Sequence, residues 1–383
     1  MENSKIQWCD NTFNPWEGCT KVSPECANCY AETRANRWKS VVWGPNGTRR
    51  VASESKWKEP IKWNRAAGFW WCNECQLPQL TPHGGWCGKC GKELLPPRRP
   101  RVFCASLADV FEDWRGPMVD SRGRRLWRFV GGYDEAREPG ISHNGDWRPL
   151  TMQDIRVRLF KLIQATQNLD YLLLTKRIEN VERMVCEAGY GSEWPFPNVW
   201  LGTSVGNQER ADSEIPKILK IPAAVRFLSV EPQLGPIDFN NGSTYASDGR
   251  GMVWDAWGNV AHCPRGVEPK KGPGIDWVIC GGESGHGSRP FDVVWARSLR
   301  DQCKQAGVAF FLKQFGSAPL VSEAEFVAKR ADWNFKDDPH DEKWGGMIPL
   351  KLIDKKGGNP AEWPEDLRDC REFPTVNTGL PAG

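Results

Sequence analysis

The sequence predicts an α/β fold built as a complete or partial (β/α) TIM-type barrel, and three observations carry that prediction. Short β-branched or aromatic segments recur along the chain, helical patterns separate several of them, and most of the segments end in a polar or charged side chain. Active sites of such barrels form at the carboxyl ends of the strands, so the third observation bears on function as well as on fold.

The first strand-like segment is KIQWCD near the N-terminus. RVFCASLAD, DYLLLTKR, VWLGTSVG, RFLSVEPQ and DWVICGGESG follow after residue 100, and VAFFLKQFG is the last. They read as buried parallel strands. Between them, DIRVRLFKLIQAT sets Ile155, Leu159, Leu162, Ile163 and Thr166 on one helical face. IENVERMVCEAG ends on a glycine, as helices often do, and FDVVWARSLRDQCKQAG leads into the last strand. About seven strands in βα alternation favour a barrel over an open doubly wound sheet. The strand-end residues are Asp109, Lys176, Arg177, Ser204, Glu231, Glu283, Lys313 and Gln314, and each has the alternative reading of an ordinary cap or salt bridge.

Three stretches interrupt the alternation, which gives one decorated domain. Residues 1–67 form the N-terminal part of the barrel with a three-cysteine loop, and 68–100 are an inserted zinc ribbon. Residues 101–316 are the remainder of the barrel, with loop insertions near 115–150 and 238–274. Residues 317–383 are a loop-rich C-terminal extension that wraps the barrel.

The N-terminus, MENSKIQWCD, has no basic-then-apolar signal pattern, and no apolar run approaches the roughly 18 residues of a membrane span. A soluble, cytoplasmic protein with no membrane partner is expected. Fourteen cysteines in that setting point to metal ligands and thiols over a disulfide framework. Net charge is only +3, but residues 1–101 hold 16 Lys and Arg against 9 Asp and Glu, or +7, which leaves −4 for the rest. Within and just beyond that region KWKEPIKWNR, LPPRRPR and SRGRRLWR interleave basic residues with tryptophan. Such a mixture binds phosphates and stacks bases, or else is a solvated basic face whose Trp rings pack into the core.

Two cysteine sets differ in kind. Cys72, Cys75, Cys87 and Cys90 form two CxxC knuckles with eleven residues between them. Four thiolates close a tetrahedron around Zn2+, a structural site that folds its insertion and does no chemistry. Cys19, Cys26 and Cys29, in NPWEGCTKVSPECANCYAE, are three, on a loop ahead of the helical CYAETRANRW. Three thiolates suit a cubane cluster whose fourth iron stays open to an external ligand. The alternative is a closed site completed by Cys9 or Cys104.

The run IQWCDNTFNPWEGC, the three-cysteine loop, LLTKR, SVEP, GGESG with Arg289-Pro290 after it, and FLKQFG together resemble the phage-associated three-Cys-motif proteins, which in turn look like radical SAM enzymes. The resemblance runs from about residue 5 to 316, with gaps at the insertions, and it departs from the usual radical SAM pattern in having six residues, not three, between the first two cysteines. It implies a barrel of the radical SAM kind with a [4Fe–4S] cluster on Cys19, Cys26 and Cys29. The open iron would chelate S-adenosylmethionine, and one electron would split the sulfonium to a 5′-deoxyadenosyl radical. By the same resemblance Ser106, Asp109, Ser204 and Glu231 are cofactor-binding candidates. Lys176, Arg177, Glu283, Arg289, Lys313 and Gln314 are candidates for the catalytic, substrate side. A nucleic acid or nucleotide substrate, in phage-type DNA modification or a conflict with host defence, and a reductase or flavodoxin-type electron donor are the implied partners. The competing readings are a non-catalytic, metal-stabilised nucleic-acid-binding protein and a metal-independent nuclease using Glu231 and Glu283.

Overall fold

The computed structural model of the chain describes residues 2, 4–67, 70–72, 74–75, 77–79, 86–92, 99–130, 146–241, 246–265, 267–268, 270–325 and 347–375. The fold is mixed α/β around a seven-stranded parallel sheet. Its strands are β1 (Asn11–Thr12), β2 (Arg101–Cys104), β3 (Asp170–Thr175), β4 (Val199–Ser204), β5 (Val225–Val230), β6 (Trp277–Gly281) and β7 (Ala309–Gln314). Sheet order follows chain order from β1 to β7. A doubly wound sheet reverses at a switch point, so this sequential, linear order marks part of a (β/α) barrel. Helices α1 (Tyr30–Trp38), α2 (Glu54–Ala66), α3 (Met152–Ala165), α4 (Val181–Glu187), α5 (Gln208–Lys220) and α6 (Val293–Ala306) accompany the strands.

The chain divides into two compact units. The first comprises Met1–Thr20, Ala31–Leu174 and Asn180–Trp200, the second Lys21–Tyr30, Thr175–Glu179 and Leu201–Gly383.

In the first unit the expected strand over KIQWCD is replaced by a turn, and β1 begins only at Asn11. Ser4 is the cause: its hydroxyl accepts from the backbone of Ile6, its own N–H donates to Asp10 O, and Trp8 turns inward against Phe103. Local side-chain bonding outweighs the apolar pattern there. Helix α3 starts on a capping box in which Thr151 and Asp154 each bond the other's backbone N–H, and the apolar face read from the sequence is buried. The KWKEPIKWNR segment is α2. Its Trp57 and Trp63 are 3% and 5% exposed, Lys56 and Lys62 pair with Glu59 and Glu2, and Arg158 of α3 lies 4.3 Å over the Trp57 ring. These two rings belong to the core and are closed to base stacking.

In the second unit α6 is capped by Asp292, which accepts from Val294 N, and stopped by Gly307 at φ 67°. That is a left-handed cap only glycine adopts cheaply. Within the 238–274 insertion, strands 246–247, 253–254 and 260–262 form a small antiparallel sheet, turned by the side chains of Asp248 and Asp255. The C-terminal region is loop-rich as expected. It contributes strands 319–322 and 347–349, and lays residues 356–372 along β7: Leu312 N donates to Cys370 O at 2.6 Å, Glu372 N to Phe310 O at 2.9 Å and Phe315 N to Gly357 O at 2.9 Å. Arg98 and residues 131–145, 326–346 and 376–383 lie outside the described residues.

Candidate metal centres and strand-end residues

The cysteine triplet is supported from its own sequence outward. Cys19, in the first unit, has its carbonyl bonded by Gly44 N at 3.0 Å, and its neighbour Thr20 accepts from Arg49 at 2.9 Å. Arg49 is itself held by a two-point, fully buried pairing with Glu112 at 2.8 Å per bond. Cys26 and Cys29 are in the second unit. A 3-10 turn over Pro24–Cys26 brings Ser23 Oγ to 3.5 Å from Cys26 Sγ, and α1 begins directly after Cys29.

Three groups of the same unit grip this turn. Glu25, whose side chain is fully buried, accepts from Gly206 N at 2.7 Å and lies 4.0 Å from Arg210 of α5. Arg289 donates to Pro24 O at 2.9 Å. Asn28 donates to Glu283 Oε2 at 2.8 Å and to Gly287 O at 3.0 Å. Gly206 follows β4 and Glu283 follows β6, so loops after two barrel strands hold the segment between and beside the two cysteines. Gly206 has no room for a side chain, since a Cβ there would lie 2.6 Å from Glu25 Cγ and 2.8 Å from Pro232 O. Glu25, Asn28, Gly206 and Arg210 escaped the reading of the sequence. Glu25 stands out in the sequence as the one acidic residue between Cys19 and Cys26, but its partner lies 181 residues away.

The remaining strand-end residues fall into pairs. Lys176 Nζ donates to Ser204 Oγ at 2.8 Å, Lys313 Nζ lies 2.9 Å from Glu231 Oε1, and Gln314 donates to Gly282 O at 3.0 Å. Glu283 is paired with Arg289; burial opposes its ionisation, but the bonds from Arg289 and Asn28 prevail and hold its carboxyl below the ordinary range. Arg177 is buried, with its N–H on Thr175 Oγ1. Ser106 and Asp109 are in the first unit. There Ser106 exchanges bonds with Asn14, and buried Asp109 accepts from Phe111 N at 3.0 Å.

Cys9 and Cys104 sit in surroundings suited to neutral thiols. Burial pushes Cys9 up to about 11, and its thiol donates to Ser4 Oγ and Ile6 O. Cys104 is wholly buried in β2, which raises it further.

The second cysteine set converges. Cys75, Cys87 and Cys90 bring their sulfurs within 4.8 Å of one another, and among the described residues they are the group of Cys, His, Asp and Glu near enough to share one ion. Cys87 is buried, and its backbone closes a tight turn through Cys87 N to Lys92 O and Gly91 N to Cys87 O. Cys72 ends a strand paired with 77–79, opposite Leu77; its side chain is outside the described residues. Three converging thiols are a donor set able to bind a metal ion.

No curated protein and no solved structure matches the chain. One family model does, described as protein of unknown function (DUF5131), over residues 3–121 and 146–343. That match takes in the cysteine triplet, Cys72 to Cys90 and every strand of the sheet, and the chain belongs to the DUF5131 family.

Proposed function

We propose that the chain is a radical SAM-like enzyme in which Cys19, Cys26 and Cys29 hold a [4Fe–4S] cluster, while Cys75, Cys87 and Cys90, with Cys72, hold a structural Zn2+. The observation that carries the reading is the anchoring of the Cys26–Cys29 turn to the loops after β4 and β6, the strand ends where barrel enzymes keep their chemistry. The donor set fits such a group: three partly exposed cysteines lie in one short stretch, and the two further thiols considered as a fourth ligand are buried where the neutral form is favoured. A bound cluster with one open iron would supply one-electron cleavage of S-adenosylmethionine.

This chain's residues would bind and orient around that centre. Ser204 and Glu231, each fixed by a lysine, and Ser106 and Asp109 are proposed to contact the cofactor's methionine and ribose groups. Lys176, Arg177, Lys313 and Gln314 would face the substrate. A nucleic acid or nucleotide substrate is supported by the +7 of residues 1–101 and no longer by Trp57 and Trp63, which are core. A reductase or flavodoxin-type protein would deliver the electron.

Anaerobic reconstitution with iron and sulfide tests the reading. Wild-type protein should take up a reducible cluster whose spectrum changes on addition of S-adenosylmethionine. The triple change Cys19→Ala, Cys26→Ala, Cys29→Ala should abolish iron uptake and leave about one zinc per chain. A wild-type protein with two zincs and no iron would refute the enzyme and leave the metal-stabilised nucleic-acid-binding protein.

A further inference from the structure

We infer that Glu283, Arg289 and Asn28 form a clamp that positions the turn carrying Cys26 and Cys29, so that Glu283 and Arg289 serve the metal centre as positioning residues and do not act on substrate. The inference rests on the assignment of those cysteines to a metal centre.

The bonding capacity of the three side chains makes the case. Glu283 Oε1 accepts from Arg289 Nη2 at 2.7 Å. Its Oε2 accepts from Arg289 Nε at 3.0 Å, Arg289 N at 2.9 Å and Asn28 Nδ2 at 2.8 Å. An ionised carboxylate has about two acceptor sites on each oxygen; here three donors crowd Oε2 and one takes a site on Oε1, in a residue that is 7% exposed. Little is left with which to take a proton or bind a ligand. Arg289 spends its remaining arm on Pro24 O at 2.9 Å, and Asn28 gives its amide to Glu283 and to Gly287 O. The contacts fall symmetrically. Pro24 and Asn28 are two residues before and two residues after Cys26, and Asn28 adjoins Cys29. The guanidinium fork and the carboxylate therefore define where the backbone on both sides of Cys26 must run. Fixing that path before a metal arrives removes the ordering cost from metal capture, which is how supporting side chains confer precision on a ligand set.

The test uses the full chain without metal, so it does not depend on which cluster is bound. Hydrogen exchange of residues 21–30 and alkylation of Cys26 and Cys29 would be followed by mass spectrometry in wild type, Asn28→Ala, Arg289→Lys, Glu283→Ala and Glu283→Gln. Losing bonds to a charged group should speed exchange of the turn about ten- to a hundredfold in Asn28→Ala and Glu283→Ala, with exchange in β7 unchanged as the control for folding. Glu283→Gln keeps an acceptor for Asn28 and should recover part of the protection lost in Glu283→Ala, which a side chain that merely fills space would not do. Reconstituted variants should lose iron faster than wild type in the same order. Wild-type exchange and alkylation in Asn28→Ala and Arg289→Lys would overturn the clamp. Failure of the wild type to take up iron would instead overturn the metal assignment, while the exchange rates still decide whether the turn is clamped.

Discussion

Replacing Gly206 with alanine probes the other anchor of the cysteine turn, and its cost can be worked from distances. The new methyl would lie 2.6 Å from Glu25 Cγ, 2.8 Å from Pro232 O and 2.9 Å from Glu25 Oε1. The backbone at 206 has little freedom to retreat, because its N–H is bonded to Glu25 and its carbonyl accepts from Leu234 N at 2.7 Å. The Glu25 side chain must give way, and it is buried. Separating a buried carboxylate from its donor costs about 1.5–3 kcal/mol. Overpacking adds about 1–3 kcal/mol, and the stiffer unfolded chain of alanine returns about 0.4–1 kcal/mol. A net loss of about 2–5 kcal/mol follows, read as a lower urea midpoint by tryptophan fluorescence at unchanged slope. Glu25→Ala removes two of the three atoms in the way and leaves only Pro232 O, so the double variant should be more stable than the sum of the single losses by about 1–3 kcal/mol. A Gly206→Ala protein within 0.5 kcal/mol of wild type, or strictly additive losses, would refute the reasoning.

Three further outcomes are expected. Arg49→Ala should destabilise the first unit by about 3–5 kcal/mol in denaturant titrations, because it strands Glu112, 2% exposed, without its two-point partner. Asp154 is held well below the ordinary carboxylate range: burial pushes it up, but bonds from Arg148, Thr151 and Arg128 prevail. Its contribution is therefore complete above the unfolded value near pH 4 and is lost as pH falls toward the folded value, and Asp154→Asn should flatten the acid limb of stability against pH. If a single-stranded nucleic acid is bound through about four phosphates, log affinity should fall with log salt at a slope of about −3. Lys58→Glu with Lys62→Glu should shallow that slope in fluorescence anisotropy, and salt-independent binding would exclude the nucleic-acid partner.

Six of the seven barrel strands are legible because each is a short apolar run closed by polar or glycine residues, a pattern that burial on both faces imposes; the segments read from the sequence begin within one residue of the observed strands, and those at Cys104 and Gly281 run on past the strand ends. The first was misplaced because β1 is only two residues long and a serine-led turn borrows the apolar residues before it. Helix α5 was overlooked since Pro216 interrupts its pattern. At the candidate site the cysteines announced themselves by spacing, as did charged residues at strand ends. Which of those charges face each other did not follow, because Glu231 with Lys313 and Asn28 with Glu283 are partners made by folding across 82 and 255 residues. Trp57 beside Lys56 and Lys58 looked alike as a stacking platform and as a core ring, and only the direction of the α2 face separates them.

The segment from 356 to 372 has a meaning for the life of the protein outside any reaction. An open sheet ends in a strand whose unpaired N–H and C=O groups invite a strand from another molecule. Here β7 offers its groups at Phe310 and Leu312, and Phe315 follows at its end; the chain's own tail meets them with Glu372, Cys370 and Gly357, while the Trp363 ring packs against Phe315. The tail is in effect an internal competitor for self-association. A protease that trimmed it would turn a sheltered margin into an adhesive one, and clumping of the nicked protein would be the first sign of damage, ahead of any loss of the barrel itself.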